Sequence, residues 1–115
     1  MSLSQLEKFQ WQPYLDNMSR ILDGKRVEIE VDALDIGAQI AAEWLPLFGI
    51  VYDPRSDIVE VALEGLDHMI HHPKEIFIDQ TGLELRNIKV VDAQDMQHII
   101  RLRDPLMLPA PLAQM

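Results

Sequence analysis

QPYLDNMSRILDGKRVEIEVD, residues 12–32, holds two hydrophobic periods one after the other. In its first half Leu15, Met18 and Leu22 follow Trp11 at i+4, i+7 and i+11, one face of a helix, and Gly24 stands where a helix stops. In its second half Val27, Ile29 and Val31 alternate with Arg26, Glu28, Glu30 and Asp32, the pattern of a half-buried strand. The reading is an amphipathic helix at about residues 12–22, then a tight turn into a strand. Pro13 suits the first turn of that helix. Before it, Ser4 and Glu7 have capping-box spacing for a short helical turn of their own.

Outward from this stretch the strand signals multiply. Residues 39–52 are apolar and broken by Pro46 and Gly49, which fits either one strand bent at Pro46 or two strands. Asp53-Pro54-Arg55-Ser56-Asp57 reads as a type I turn with proline at its second position. Val59, Val61 and Leu63 then share a strand face up to Gly65. Leu66 to His72 has helical or turn character before Pro73. Two strands, 75–79 and 83–92, flank Gln80-Thr81-Gly82, a three-residue hairpin loop, and the alternation slips near Asn87 in the manner of a bulge. A last strand at about 97–103 puts Ile100 and Leu102 on one face. The expected class is α+β: an N-terminal amphipathic helix packed on a mainly antiparallel, strongly twisted sheet or partial barrel of five to seven short strands. One domain spans residues 1–104. Residues 105–115 (PLMLPAPLAQM) form an apolar, proline-rich C-terminal arm that suits neither a regular helix nor a central strand.

Composition narrows the function. The chain has 115 residues, 48% of them hydrophobic and 25% charged, which is the balance of one globular domain with its own core. Nineteen acidic and ten basic side chains give a net charge of −9, which repels phosphate backbones and anionic membrane surfaces. The nearest basic pairs, Lys25 with Arg26 and Arg101 with Arg103, sit among carboxylates. There is no cysteine, so thiolate chemistry is closed, and the residue usage suits a reducing, cytoplasmic setting.

Chemistry-bearing residues concentrate in LDHMIHHPKEIFID, residues 66–79, which holds three of the four histidines. On a helical turn His68 and His72 would share a face at the spacing of two zinc ligands, with Asp67 or Glu75 as third ligand or base. Pro73 ends any such helix at its second ligand, and Met69 stands where a metalloprotease has glutamate. The plainer account is a polar connection with Met69 and Ile70 buried. His98 shares a strand face with Ile100 and Leu102, as a histidine at the rim of a core does. Glu28, Glu30 and Asp32 line one strand face about 7 Å apart, a row that a solvated surface explains. No nucleophile elbow or glycine-rich phosphate loop is present in the sequence.

Two apolar segments point to contact with another chain. Trp44-Leu45-Pro46-Leu47-Phe48 brings two aromatics together, as interface cores do. In the arm, Leu106, Met107 and Leu108 can fix the chain end in a groove of the same chain or of a second copy, with packing within the chain favoured for Leu106 and Leu108. Trp44, Leu47, Phe48, Leu106, Met107 and Leu108 are therefore the candidate partner-binding residues. The partner is another protein or a second copy of the chain, and neither a nucleic acid nor a membrane. No catalytic residue and no cofactor is assigned.

The strings LDGKRVEIEV (22–31), AEWLPLFGIVYDPRSD (42–57), EGLDHMIHHPKEIFID (64–79) and RLRDPLMLP (101–109) resemble a family of small bacterial domains of unknown function. The resemblance implies a soluble, standalone single domain and brings no activity or cofactor with it. The function expected is that of a non-enzymatic protein-interaction module. A small metal-dependent hydrolase built on His68 and His72 is the alternative.

Overall fold

The computed structural model describes residues 3–108, apart from the side chain of Pro105. The elements are β1 (Leu3–Gln5), α1 (Lys8–Leu22), β2 (Arg26–Ala33), β3 (Gly37–Asp53), β4 (Ile58–Leu63), β5 (Leu66–His71), β6 (Pro73–Thr81), β7 (Glu84–Asp92) and β8 (Gln97–Met107). All pairings are antiparallel, in the order β1-β6-β7-β8-β2-β3-β4-β5. This corrects the α+β expectation. The fold is sheet-dominated, with eight strands and one helix among the described residues where five to seven short strands were expected.

Two corrections account for most of the difference. Leu66–His71 is a strand, because Leu63 pairs with Leu66 and Ile58 with His71 across a tight turn at Gly65 (φ +80°). Cross-strand pairing overrides the weak local helical signal there. Residues 37–53 are a single 17-residue strand that pairs first with β2 and, from Leu47, with β4. The change of partner falls at Pro46, which cannot donate to a ladder.

Smaller boundaries shift as well. The helix starts at Lys8 and carries Pro13 inside it, and its capping box joins Glu7 to Gln10, with Ser4 in β1. The β6–β7 turn is the pair Gly82-Leu83, with Gly82 at φ +62°. Near Asn87 the pairing is irregular on both sides. β8 runs on to Met107, so the start of the apolar arm is strand, with Leu106 paired to Leu85. The rest of the arm, residues 109–115, lies outside the described residues.

β2 to β5 and β6 to β8 form two meanders, joined because β8 pairs with β2, while β5 and β6 are not paired. The path passes two corners. One is β3 at Pro46. The other is His72 (φ +55°), which alone separates β5, paired with β4, from β6, paired with β7. Strands that change sheets at a bend are how two sheet layers fold over one core. The core is Val27, Ile29, Leu47, Ile50, Val59, Val61, Ile70, Ile76, Leu85, Ile88, Val90 and Ile100 from the strands, with Trp11, Leu15, Met18 and Leu22 from α1.

The helix lies where β3 leaves β2. The Ser19 hydroxyl donates to the Ile50 carbonyl (2.5 Å) and accepts from the Ile50 amide (2.8 Å). Trp11 meets Tyr52 edge to face at 5.1 Å. No helix among the described residues is long and apolar enough to cross a membrane.

Candidate functional site

The register turns His98 inward, between Val31 of β2 and Val90 of β7. β7 ends at Asp92, whose side chain caps the turn into β8: Oδ1 accepts from the amides of Gln94 (2.9 Å) and Met96 (3.1 Å). Oδ2 lies 3.0 Å from His98 Nε2. On β5, His68 stands opposite Val61 and so faces inward as well, and its Nε2 lies 3.0 Å from His98 Nδ1. The result is a chain, Asp92–His98–His68, that crosses from the β7–β8 turn to β5. Asp92 and His98 are the two buried polar residues among the described residues.

The electrostatics orient this chain. Burial opposes ionisation of Asp92, but the His98 ring and the amides of Met96 and Gln94 outweigh it, holding the carboxyl below its ordinary range. Burial, reinforced by the neighbouring His98 ring, pushes His68 down to about 4. At neutral pH His68 is therefore uncharged. Each His98 ring nitrogen has a partner within the protein, Asp92 Oδ2 at Nε2 and His68 Nε2 at Nδ1. Both His98 nitrogens are engaged within the protein, so the chain fastens β5 to the β7–β8 turn and offers no free base at His98.

Beside it lies a cavity of about 370 Å³ lined by Met69, His71, His72, Asp92, Gln94 and His98. His72 Nδ1 is 3.3 Å from Asp57 Oδ2, at the exposed corner.

The histidine cluster read in the sequence is thus divided. Four residues along a strand span about 13 Å, not one helical turn, and Asp67 follows strand alternation to the face opposite His68. Glu75 sits on β6 opposite Val91. Among the described residues no three His, Cys, Asp or Glu side chains come together as metal ligands. His68 meets His98 instead, a partner thirty residues away.

The candidate partner-binding residues are divided too. Leu47 is in the core. Trp44 is partly buried in a left-handed conformation (φ +53°), and its carbonyl accepts from Arg26 Nη1 (3.1 Å). Leu106 and Leu108 are partly buried against the core, whereas Phe48 and Met107 are exposed. The most exposed apolar group is one that sequence reasoning passed over: Leu34 (100% exposed), Ile36 (64%) and Ile40 (51%), at the end of the β2–β3 hairpin. Its signal was present, since a hairpin turn reading Ala33-Leu34-Asp35-Ile36-Gly37 is more apolar than turns usually are.

A profile described as a family of unknown function, DUF5335, matches residues 2–111. The chain belongs to this family. A protein of Aquifex aeolicus (strain VF5), described as uncharacterized, is 37% identical over 110 residues, which cover 95% of this chain and 99% of the relative. The family is thus one of small bacterial proteins of unknown function. No solved structure matches.

Proposed function

We propose that this DUF5335 member is a non-enzymatic interaction module that holds a protein partner at the tip of its β2–β3 hairpin. The observation that carries this reading is the exposure of Leu34 and Ile36 on the β2–β3 turn and of Ile40 a few residues along β3. Single exposed aliphatics are normal, but a group of large ones marks a contact surface. Asp32 and Asp35 flank the tip, so a partner with an apolar centre and a basic rim fits it. The buried Asp92–His98–His68 chain accords with this reading, because its polar atoms bond to one another. A cytoplasmic location suits the absence of cysteine.

The test is a photo-crosslinking residue placed at Ile36 in cells that make the protein. Expected are a discrete protein adduct and its loss on Leu34→Asp, with thermal unfolding unchanged because Leu34 has no contacts to lose. An adduct of equal yield in the Leu34→Asp chain would overturn the proposal.

A further inference from the structure

Gly24, Lys25 and Arg26, at the α1–β2 turn, and Arg103, Asp104 and Leu106, near the end of β8, line a surface cavity of about 490 Å³. The two basic groups are far apart in sequence and are brought together by the ladder. Val27 and Leu102 are the last paired residues of β2 and β8, and one step further the register sets Arg26 across from Arg103. On its other side β8 bulges: pairing with β7 jumps from Asn87–Arg101 to Leu85–Leu106, so Leu102 to Pro105 face Arg86 alone. Bulges of this kind re-aim side chains and recur next to binding sites.

The turn opposite is held in place by its own backbone. The Gly24 amide donates to the Leu47 carbonyl (2.8 Å) and the Lys25 amide to the Leu22 carbonyl (2.9 Å). Arg26 is steadied by its bond to the Trp44 carbonyl.

Charge makes this arrangement informative. The chain has 19 carboxylates for 10 Lys and Arg. Lys74, Arg86 and Arg101 each have a carboxylate partner. Among the described residues Lys25, Arg26 and Arg103 form no ion pair, like Lys8, Arg20, Arg55 and Lys89, but here two guanidinium groups stand at opposed positions just past the end of the β2–β8 ladder. Like charges directly opposite destabilise a sheet. An anion between them removes that cost, and two guanidinium forks suit an oxyanion with several acceptors. Three cations and Asp104 leave a local charge of two positive units. A cavity of this size lies in the range of small-molecule sites, about 300–1,000 Å³.

We propose that this pocket binds a dianionic oxyanion of the phosphate type, either free or as the phosphoryl group of a small molecule. Lys25, Arg26 and Arg103 hold the charge, and the Gly24 turn lets the backbone approach.

The probes are inorganic phosphate and glucose 6-phosphate, titrated into isotope-labelled protein at constant ionic strength, with chloride as control. Saturable shifts are expected at the amides of Gly24, Lys25, Arg26 and Arg103. Arg103→Ala should weaken binding about tenfold or more, the worth of a charge-assisted hydrogen bond, while Lys74→Ala leaves it unchanged. Arg103 is exposed, so its variant keeps the fold, which the remaining resonances verify. Tighter binding of the sugar phosphate identifies the phosphoryl group of a metabolite as the ligand, and equal binding identifies the free oxyanion. Shifts no greater than those with chloride, or an equal loss in Lys74→Ala, would overturn the proposal.

Discussion

His68 sits against the His98 ring in the folded protein and in water in the unfolded chain. Folding lowers His68 from an ordinary 6.5 to about 4, chiefly by burial. Between those values the unfolded chain binds the extra proton and the folded chain does not, so stability falls as pH drops from about 6.5 toward 4. Asp92 adds a second loss at lower pH: its carboxyl is held below the ordinary range, and its contribution goes as pH falls through that depressed value. Denaturant midpoints at pH 7.5, 5.5 and 4.5 should therefore decline steadily. His68→Gln keeps a hydrogen-bonding side chain and removes the titration, so its midpoints should flatten between pH 6.5 and 4.5. Parallel curves for the two proteins would show that His68 does not set the acid limb. No pattern within residues 66–79 announced this pair, because the partner of His68 comes from a different hairpin.

β3 shows how elements rather than residues decide this fold. A strand that exchanges β2 for β4 midway exposes an unpaired edge, and unpaired edges invite aggregation. At Ile50 that edge is closed by the Ser19 hydroxyl, which satisfies both the carbonyl and the amide. Ser19→Ala should cost about 1–3 kcal/mol, the penalty for buried backbone groups left unbonded. Hydrogen exchange should then quicken at the Ile50 amide ahead of the rest of the core; a rate equal to that of wild type would mean that water replaces the hydroxyl. The face that carries Ser19 was legible from the sequence, since Trp11, Leu15, Met18 and Leu22 repeat at helical spacing and all four are buried. β2 was legible for the same reason in period two. Strands whose identity depends on a partner were not. β5 reads LDHMIH, with a single fully buried residue, Ile70, and only its ladder with β4 makes it extended. The β3 segment left two readings open because Pro46 marks a corner as readily as an end.

At the scale of the whole molecule, the first residues of the C-terminal arm extend the β7–β8 pairing. Beyond the β8 bulge, Leu106 pairs with the fully buried Leu85, and the Leu108 amide donates to the Leu83 carbonyl (2.6 Å). Both leucines rest on the core. Their apolar character is spent largely inside the same chain, whereas Leu34 and Ile36 stay exposed. Ending the chain after Asp104 would uncover Leu85 and unpair β7 at Glu84 and Leu85, leaving its pairing from Asn87 onward intact. Fully burying a leucine contributes roughly 1.5–3 kcal/mol, so losing two that are partly buried should cost about 2–4 kcal/mol. The denaturant midpoint of the shortened protein should fall accordingly. The double variant Leu106→Ala, Leu108→Ala in the full chain should reproduce most of that fall, because it removes the same contacts while keeping the backbone pairing. An unshifted midpoint on truncation would mean that the arm leaves the core untouched, and would return Leu106 and Leu108 to the surface available to a partner.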